Sequence, residues 1–454
     1  MKTKIILLSL ILLISWFTFS QKLVTYKASS DADMAYDYTI RVNGEEVEVY
    51  QNKWAAFAYF SFEGKAHIEI GIGCKVFDAE IRPINANIGW AIEANDTLSI
   101  NITQPCNLSI EINKNIKRPL FIFANPIEKN IPLKTSKVKY FEGGKIYNEG
   151  IINLHSNETV YIEGGAIVKG CIIANDVKNA KILGRGILDG GIFKKGEQRT
   201  IELNQCDSLL VEGIIVTNSG NWSTPMTTCR NINYSNIKII SGSDKDDGID
   251  IIASQNINID GCFIRSKNDC IAIKSGINYV TKLNTQINVE NIKITNCVLW
   301  NAELGNGLEI GTETRCDTIK NILFQNCDLI HVFGHEGTFA IHNGDRAVVT
   351  DINYNDIRVE DSRGYLIDMK ILKSEYSKDR HRGKIQNIHF KNIKVYSDSI
   401  LHSTMTGFDE NHKIENVVLE DVRIKGVLIR NTKEAKIKTE FTDNLTFINT
   451  PKKK

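Results

Sequence analysis

Acidic residues recur at regular places in the stretch "SGSDKDDGIDIIASQNINIDGCFIRSKNDCIAIKSG", residues 241–276. Asp247 stands before "GIDI", and Asp269 stands before "CIAI" 22 residues later. If the two segments are neighbouring strands, their carboxyl groups begin adjacent strands about 4.8 Å apart. Paired carboxyl groups at such spacings suit glycoside hydrolysis, in which one protonates the leaving oxygen and another activates water. Asp247 and Asp269 are therefore the first candidate catalytic residues.

A third segment, "NGLEIG" from Asn306, follows the same pattern. In such a stack, Asp250 and Glu309 share an outward column with Ala272 between them, and both are further candidate catalytic carboxylates. Carboxylates this close raise one another's pKa, so that some stay protonated near neutral pH. The alternative interpretation is that these Asp and Asn side chains only cap turns or bind a calcium ion.

The chain around these residues repeats itself. Phrases of alternating apolar and polar residues, each opened by an Asn or a close equivalent, recur about every 25 to 36 residues from Asn231 to Asn416. That period is typical of a solenoid, and the alternation of β-branched residues predicts short strands. The sequence therefore predicts a parallel β-helix over residues 131–431, with the Asn openers stacked at turns and with Ile249, Ile271 and Leu308 in one inward column.

The N-terminal part has a different pattern. "VNGEEV" indicates a hairpin, and "HIEIGIG" and "LSIEINKNI" alternate like the strands of a sandwich. The sequence predicts an all-β protein in which a small β-sandwich at 22–130 precedes the solenoid. The residues from 432 to 454 are predicted to form a polar, partly loose tail.

Composition excludes several classes of protein. The chain has 454 residues and 55 Lys and Arg against 54 Asp and Glu, so its formal charge of +1 gives no case for nucleic-acid binding. Ten cysteines are present, and three of them, Cys262, Cys297 and Cys327, stand six residues after a phrase-opening Asn. They are predicted to form a buried ladder of thiols. None has the paired spacing of a zinc site, and we expect no metal and no cofactor.

The first residues, "MKTKIILLSLILLISWFTFSQK", have a charged head and an apolar run that ends in small residues at Ser20. This pattern predicts a signal peptide at 1–20 and a secreted or periplasmic protein with no stable membrane insertion after cleavage. The alternative is a single membrane anchor. The sequence gives no indication of the oligomeric state.

The acidic segments resemble the polygalacturonase family, glycoside hydrolase family 28, whose motifs are Asn-Thr-Asp-Gly, Asp-Asp-Cys, Gly-His-Gly and Arg-Ile-Lys. "KDDGID" places Asp247 at the first motif's Asp, and "NDCIAIKSG" places Asp269 at the second motif's second Asp. "GNGLEIGTE" is similar to the third motif, and "DMK" places Lys370 at the final Lys. The resemblance covers roughly residues 140–400. It implies a right-handed parallel β-helix and an inverting hydrolase in which Asp247 and Asp269 hold the attacking water. The sandwich before the helix also resembles the dextranase family, glycoside hydrolase family 49.

The chain departs from the family pattern at three positions. Asn268 stands where the family keeps its general acid, and an amide is no useful proton donor. Asn306 replaces the motif His, and Asp368 stands in place of the Arg. In the family, that Arg and the Lys grip a uronate carboxylate, so the resemblance implies a substrate other than polygalacturonate.

The general acid must then be another group. Asp269 could be the acid with Asp247 as base; Glu309 is the next candidate and Asp250 follows, with Asp246 a further possibility outside the matched column.

Other polar and aromatic residues are candidate contacts to a polysaccharide or oligosaccharide. Lys274, His342 and Lys370 are predicted to share one outward column, where they could bind hydroxyls, sulfates or carboxylates. Aromatic side chains could stack on sugar rings. The full set of candidate binding residues is Asn268, Lys274, Asn306, His342, Asp368, Lys370 and Trp300, with Trp222 and Tyr365 as further aromatic candidates.

Two other functions fit the same pattern. A polysaccharide lyase or epimerase is also found on β-helices and needs a Lys, Arg, His or Tyr base and often calcium. A non-catalytic glycan-binding β-helix would explain Asn268 and Asn306.

Overall fold

The computed structural model describes residues 22–93, 96–277, 283–399 and 401–450. The predicted signal peptide at 1–20 lies outside these ranges. Within them the regular structure is β-strand apart from one 3-10 turn at Ile84–Ala86, so the all-β prediction is confirmed. No helix in the described ranges is long and apolar enough to cross a bilayer.

The N-terminal part is a sandwich of two sheets. One sheet has six strands, Lys22–Val24, Val49–Gln51, Ala56–Glu63, Ala79–Arg82, Cys106–Ile112 and Leu120–Pro126. The other has five, Tyr38–Val42, Glu45–Val47, Ala66–Ile72, Trp90–Glu93 and Thr97–Ile102. Phe60 and Ile122 of the first sheet pack with Ile68 and Ile100 of the second in one buried core. Burying the alternate side chains of both sheets against each other is what stabilises a sandwich.

The rest of the chain is a right-handed parallel β-helix of 31 strands. Most strands pair in parallel with the strand three places further along, so a coil has three strands and the solenoid has three sheets. Four long strands turn a corner and contribute to two sheets: Ile146–Leu154, Ile167–Asn175, Val348–Val359 and Lys384–Val395.

The three sheets are named here by what they carry. The remaining strands of the site sheet are Ile201–Asn204, Thr224–Thr227, Ile249–Ile252, Ile271–Ser275, Leu308–Thr314, Gly337–Asn343, Tyr365–Ile371, Ser403–Thr406 and Ile437–Glu440. Those of the asparagine sheet are Val138–Phe141, Thr159–Ile162, Lys181–Gly184, Asp207–Glu212, Arg230–Ser235, Gln255–Asp260, Val289–Thr295, Thr318–Gln325, Ile414–Glu420 and Thr442–Ile448. Those of the back sheet are Ile187–Asp189, Ile215–Thr217, Lys238–Ile240, Phe263–Ser266, Val298–Asn301, Asp328–Val332 and Arg423–Ile424, the last paired antiparallel with Val427–Leu428.

The β-helix continues beyond residue 431. Strand Ile437–Glu440 pairs with Ser403–Thr406, and strand Thr442–Ile448 pairs with Ile414–Glu420. The predicted loose tail from 432 is therefore wrong as far as residue 448. Asn444 opens a further copy of the repeated phrase, and the hydrogen bonds of the preceding coil hold it in place.

Stacked polar side chains mark the corners of the solenoid. Asn231, Asn256, Asn291 and Asn321 all have left-handed backbone conformations, with φ between 54° and 61°. The Nδ2 groups of the last three donate to the Oδ1 of the Asn one coil before, at 3.2, 2.9 and 2.6 Å along the series, and Asn231 Nδ2 donates to Asp207 Oδ1 at 2.9 Å. Asn tolerates this conformation better than most residues, which explains why the repeat opens with it.

The interior has the columns that the sequence predicted. Ile249 pairs with Ile271, which pairs with Leu308, and all three are fully buried. Cys262, Cys297 and Cys327 are also fully buried at the ends of successive coils, which confirms the thiol ladder. The ten cysteines, all of which are described, are free.

The sandwich packs on the back sheet. Phe121 and Phe123 of the sandwich lie 4.7 and 5.2 Å from the ring of Phe263, and Phe121 lies 5.8 Å from the ring of Trp300. Trp300 is only 2% exposed. The prediction that Trp300 binds substrate is therefore wrong, because its outward face on the back sheet is covered by the sandwich and not by solvent.

Candidate active site

The two motif aspartates begin neighbouring strands of the site sheet. Ile249 pairs with Ile271, and Gly248 donates from its N–H to the carbonyl of Asp269 at 2.9 Å. This register puts Asp247 and Asp269 one rung apart, as the sequence predicted. Glycine is required at position 248 for the two strands to approach this closely, because a Cβ there would lie 2.5 Å from the carbonyl oxygen of Cys270.

Lys274 joins the acidic side chains. Its Nζ lies 2.9 Å from Asp247 Oδ2, 2.9 Å from Asp250 Oδ1 and 4.0 Å from Asp269 Oδ2. The ammonium also lies 4.6 Å from the ring centre of Trp222. Lys274 is only 6% exposed. The sequence predicted Lys274 as a substrate-binding residue, but the structure makes it the buried counter-ion of the aspartates.

Burial and mutual repulsion shift the protonation of this cluster. Burial raises the pKa of Asp250 and of Asp269 well above the usual range, and the charge of Asp247 raises both further while Lys274 opposes the shift. For Lys274, burial lowers the pKa, but the nearby charges of Asp247, Asp250 and Asp269 outweigh it and hold the pKa well above its usual value. The ammonium therefore stays charged and neutralises part of the acidic cluster.

Asn306 fixes the orientation of Asp269 and contacts a further acid. Its backbone N–H and its Nδ2 donate to the same oxygen, Asp269 Oδ1, at 2.7 and 3.1 Å. The Nδ2 also donates to Glu336 Oε2 at 3.0 Å, and the Oδ1 accepts from the N–H of Gly337 at 2.7 Å. Sequence analysis missed Glu336. The signal was its place directly before Gly337, which stands one rung after Asn306 in the same column.

A second polar cluster lies on the next rungs of the site sheet. His342 Nδ1 lies 3.2 Å from Glu309 Oε1, and His342 Nε2 lies 3.2 Å from Asp368 Oδ2. Lys370 Nζ lies 2.8 Å from the Asp368 carboxylate and 5.3 Å from the ring centre of Tyr365. The register explains the cluster, since Glu309 and Asp368 share one outward column and His342 pairs with Lys370 in the next.

The charges of the second cluster support one another. Burial lowers the pKa of His342, but the charge of Glu309 and the contact with Asp368 raise it overall well above its usual value. For Asp368, burial raises the pKa, but the contacts with His342 and Lys370 outweigh it and lower the pKa below the usual range. His342 is therefore an imidazolium held between two carboxylates, and its capacity to bind a sugar is limited to the small part that is exposed.

The predicted candidates differ in their access to solvent. Asp247, Asp250, Glu309 and Asp368 are at most 2% exposed, whereas Asp269 is 7% exposed. Asp250 pairs with Lys274, and Glu309 and Asp368 pair with His342. Asn268 is half-buried, and its carbonyl accepts from Asn301 Nδ2 at 2.7 Å. Lys370 is also half-buried.

Asp246 lies beneath the surface. It is fully buried and accepts from Ser223 Oγ at 2.7 Å through one oxygen, whereas its other oxygen has no hydrogen-bond partner among the described residues. Burial raises its pKa well above the usual range. Asp246 is therefore a buried acid under the site and is not placed to contact a substrate.

The site thus has carboxyl groups at one-rung spacing, a buried cation that neutralises them, and an amide that orients one of them. The sequence model for glycosyl hydrolases family 28 matches residues 130–444. The chain belongs to glycosyl hydrolases family 28. The match covers the β-helix except for the end of its last strand, Thr442–Ile448, and includes the segments that carry Asp247, Asp269 and Asn306.

Curated proteins and solved structures resemble the chain over different lengths. The polygalacturonase of Juniperus ashei is 25% identical over 237 residues, which cover 50% of this chain and 44% of that protein. The chain spans about half or less of the length of the curated relatives it matches first.

Among solved structures, Dex49A from Penicillium minioluteum has a TM-score of 0.65 at 13% identity and covers 93% of this chain and 96% of its own. A hyperthermoactive exopolygalacturonase from Thermotoga maritima has a TM-score of 0.52 at 17% identity, covering 67% and 83%. These two likenesses concern the fold. The coverage of Dex49A includes the sandwich as well as the β-helix.

Proposed function

We propose that this family 28 protein is an inverting glycoside hydrolase that cleaves a polysaccharide or oligosaccharide other than polygalacturonate. The observation that carries the proposal is the pair Asp247 and Asp269, one rung apart at the motif positions and linked through Lys274. Family membership supports the reaction class.

The pair has the arrangement of a water-activating base. The ion pair with Lys274 uses Asp247 Oδ2, while Asp247 Oδ1 is buried and has no hydrogen-bond partner among the described residues, which leaves it able to bind one water molecule. On Asp269, Asn306 occupies Oδ1, so Oδ2 is turned toward Lys274 and Asp247. A water held between the two carboxylates would attack the anomeric carbon from the side opposite the leaving oxygen and lose its proton to the pair. Displacement from that face inverts the anomeric configuration.

The charge of the site argues against a polyuronate substrate. Asp250, Glu309 and Asp368 lie in a single outward column of the site sheet. Where the family pattern has an Arg, Asp368 instead pairs with Lys370 at 2.8 Å, which withdraws that lysine from a uronate carboxylate. A chain of like-charged sugars would meet a site with more carboxylates than free cations.

The same features disfavour eliminative cleavage. A lyase needs a neutral base to remove the proton beside a uronate, and Lys274 is held charged by three aspartates. We infer that the protein acts outside the cytoplasm, in the periplasm or secreted, because residues 1–20 have the pattern of a signal peptide.

A panel of polygalacturonic acid, xylogalacturonan, dextran and α-1,3-glucan tests the proposal. New reducing ends should form on a substrate other than polygalacturonic acid, and NMR should detect the inverted anomer first. A retained first anomer would overturn the inverting reaction, and ultraviolet absorbance of an unsaturated product would indicate a lyase. Binding without turnover on every glycan would indicate a glycan-binding protein.

A further inference from the structure

Inverting hydrolysis needs a proton donor as well as a base, and the usual position of that donor in the family is Asn268. The buried carboxyl groups of the site are poor substitutes. Asp250 is fully buried and paired with Lys274, and Glu309 is 2% exposed against His342. Asp368 is fully buried between His342 and Lys370. A group that protonates a glycosidic oxygen must reach the substrate within hydrogen-bond distance.

Glu336 is a carboxyl group that meets this requirement. It is only half-buried, and its Oε2 accepts from Asn306 Nδ2 at 3.0 Å. The hydrogen bonds of the described residues reach Glu336 only through Oε2 and its backbone carbonyl, which leaves Oε1 without a bond from them.

The backbone holds Glu336 in a defined place. Its carbonyl accepts from the N–H of Tyr365 at 2.7 Å, and the N–H of the next residue, Gly337, donates to Asn306 Oδ1 at 2.7 Å. The second bond fixes which way the Asn306 amide points. Its Nδ2 is thereby directed at both Asp269 and Glu336.

Asn306 sets the separation of the two carboxyl groups. The same Nδ2 lies 3.1 Å from Asp269 Oδ1 and 3.0 Å from Glu336 Oε2, so these oxygens are at most 6.1 Å apart. Inverting glycosidases separate acid and base by about 6.5 to 9.5 Å, and the bound of 6.1 Å applies only to the two oxygens that Asn306 holds. Asp269 Oδ2 is turned instead toward Lys274. A water held between Asp247 and Asp269 Oδ2 would thus lie on the side of Asp269 away from Glu336, so that acid and water can approach one glycosidic bond from different sides.

We propose that Glu336 is the general acid of the hydrolysis, in the role that Asn268 cannot fill. The inference rests on the proposed function. The Glu336 carboxyl proton passes to the glycosidic oxygen as the bond from that oxygen to the anomeric carbon breaks. Water forms the new bond to the anomeric carbon and gives its proton to the Asp247 and Asp269 pair. Proton exchange with solvent restores both groups. Asn306 is a positioning residue that holds the carboxyl groups of Asp269 and Glu336 in a fixed relative position.

The test uses Glu336→Gln in the full chain, on the panel glycan that wild-type protein cleaves. We expect kcat on the unactivated glycan to fall by about 10²- to 10⁴-fold, the usual contribution of a general acid. The loss should be under about tenfold on a 2,4-dinitrophenyl glycoside of the same sugar, because that leaving group departs without protonation. Glu336→Asp, which keeps the carboxyl group, should retain part of the activity.

Glu303→Gln is the matched control, since Glu303 is an exposed glutamate that pairs with Lys267 outside the carboxyl cluster. It should keep wild-type rates on both substrates. Equal losses on the glycan and the aryl glycoside would overturn the role of Glu336 and indicate a structural effect, as would unchanged activity of Glu336→Gln. Wild-type protein that cleaves none of the panel would instead refute the proposed function and with it the role of Glu336.

Discussion

Lys274 Nζ lies 2.9 Å from Asp247 Oδ2 in an ion pair that is almost closed to solvent. The same ammonium also lies 2.9 Å from Asp250. Removing one member of a buried ion pair leaves a charge without compensation, which costs far more than the loss of an exposed pair.

Lys274→Met should therefore destabilise the protein by about 3 to 5 kcal/mol, because two buried aspartates lose their counter-ion. Urea unfolding followed by circular dichroism measures the change. The double variant Lys274→Met with Asp250→Asn should recover part of the loss, since it removes one of the stranded charges. A single variant with the wild-type urea midpoint would show that the cluster is already neutral.

Asp247→Asn and Asp269→Asn should each lower kcat by about 10²- to 10⁴-fold, because an amide cannot take the proton of the attacking water. Asp244→Asn is the control, since Asp244 is exposed and pairs with Lys195 and Lys267. Circular dichroism checks that the variants are folded. Wild-type turnover by folded Asp269→Asn would remove Asp269 from the mechanism.

Ionisation of the buried Asp246 carboxyl group should lower the free energy of unfolding as pH rises. Burial holds the folded-state pKa of Asp246 well above its unfolded value, with the charge of Asp247 raising it and Arg265 opposing. The stabilising contribution of the protonated carboxyl is thus complete below the ordinary aspartate pKa and is lost as pH rises through the folded-state pKa.

Thermal unfolding measured from about pH 4 to about pH 8 tests this, since the ordinary aspartate pKa is about 3.9. Asp246→Asn should remove part of the fall in Tm, because the amide keeps the bond to Ser223 without any charge. If wild type and variant have parallel profiles, then Asp246 does not titrate in this range.

Trp300 and Tyr365 should respond differently to truncation. Trp300→Ala should cost about 3 to 5 kcal/mol of stability with an unchanged KM, because Trp300 fills the contact between the β-helix and the sandwich. Tyr365→Ala should leave Tm nearly unchanged and raise KM, since Tyr365 is 37% exposed beside Lys370. Guanidinium unfolding measures the stability of Trp300→Ala, thermal unfolding measures the Tm of Tyr365→Ala, and steady-state kinetics on the cleaved glycan give both KM values. A raised KM for Trp300→Ala would contradict a purely structural role of Trp300.

Much of the fold was predictable because each coil repeats the same pattern of apolar residues and turn-forming asparagines. The alternation of apolar residues and the Asn openers placed Ile249, Ile271 and Leu308 in one buried column, and the structure confirms that register. The same pattern in "NLTFIN" from Asn444 was available and was missed, so the last coil was taken for a loose tail.

The errors at the site come from long-range contacts that leave no local pattern. Trp300 alternates outward like a groove residue, and only the docked sandwich decides that this face is buried. Lys274 was predicted to bind substrate because the sequence pattern does not show that three aspartates lie close to its ammonium group. Glu336 lies just before its strand, where strand alternation does not apply, and only its place beside Gly337 in the column of Asn306 marks it.

The packing of the sandwich on the back sheet has a consequence for the candidate active site. Ile240, Phe263 and Trp300, which the sandwich covers, belong to the same coils that lead into the segments of Asp247, Asp269 and Asn306. None of the site contacts described above involves a sandwich residue, yet the sandwich packs against the coils that set their spacing. A fragment cut to the family match at 130–444 would keep each motif but expose Phe263 and Trp300, which Phe121 and Phe123 now cover.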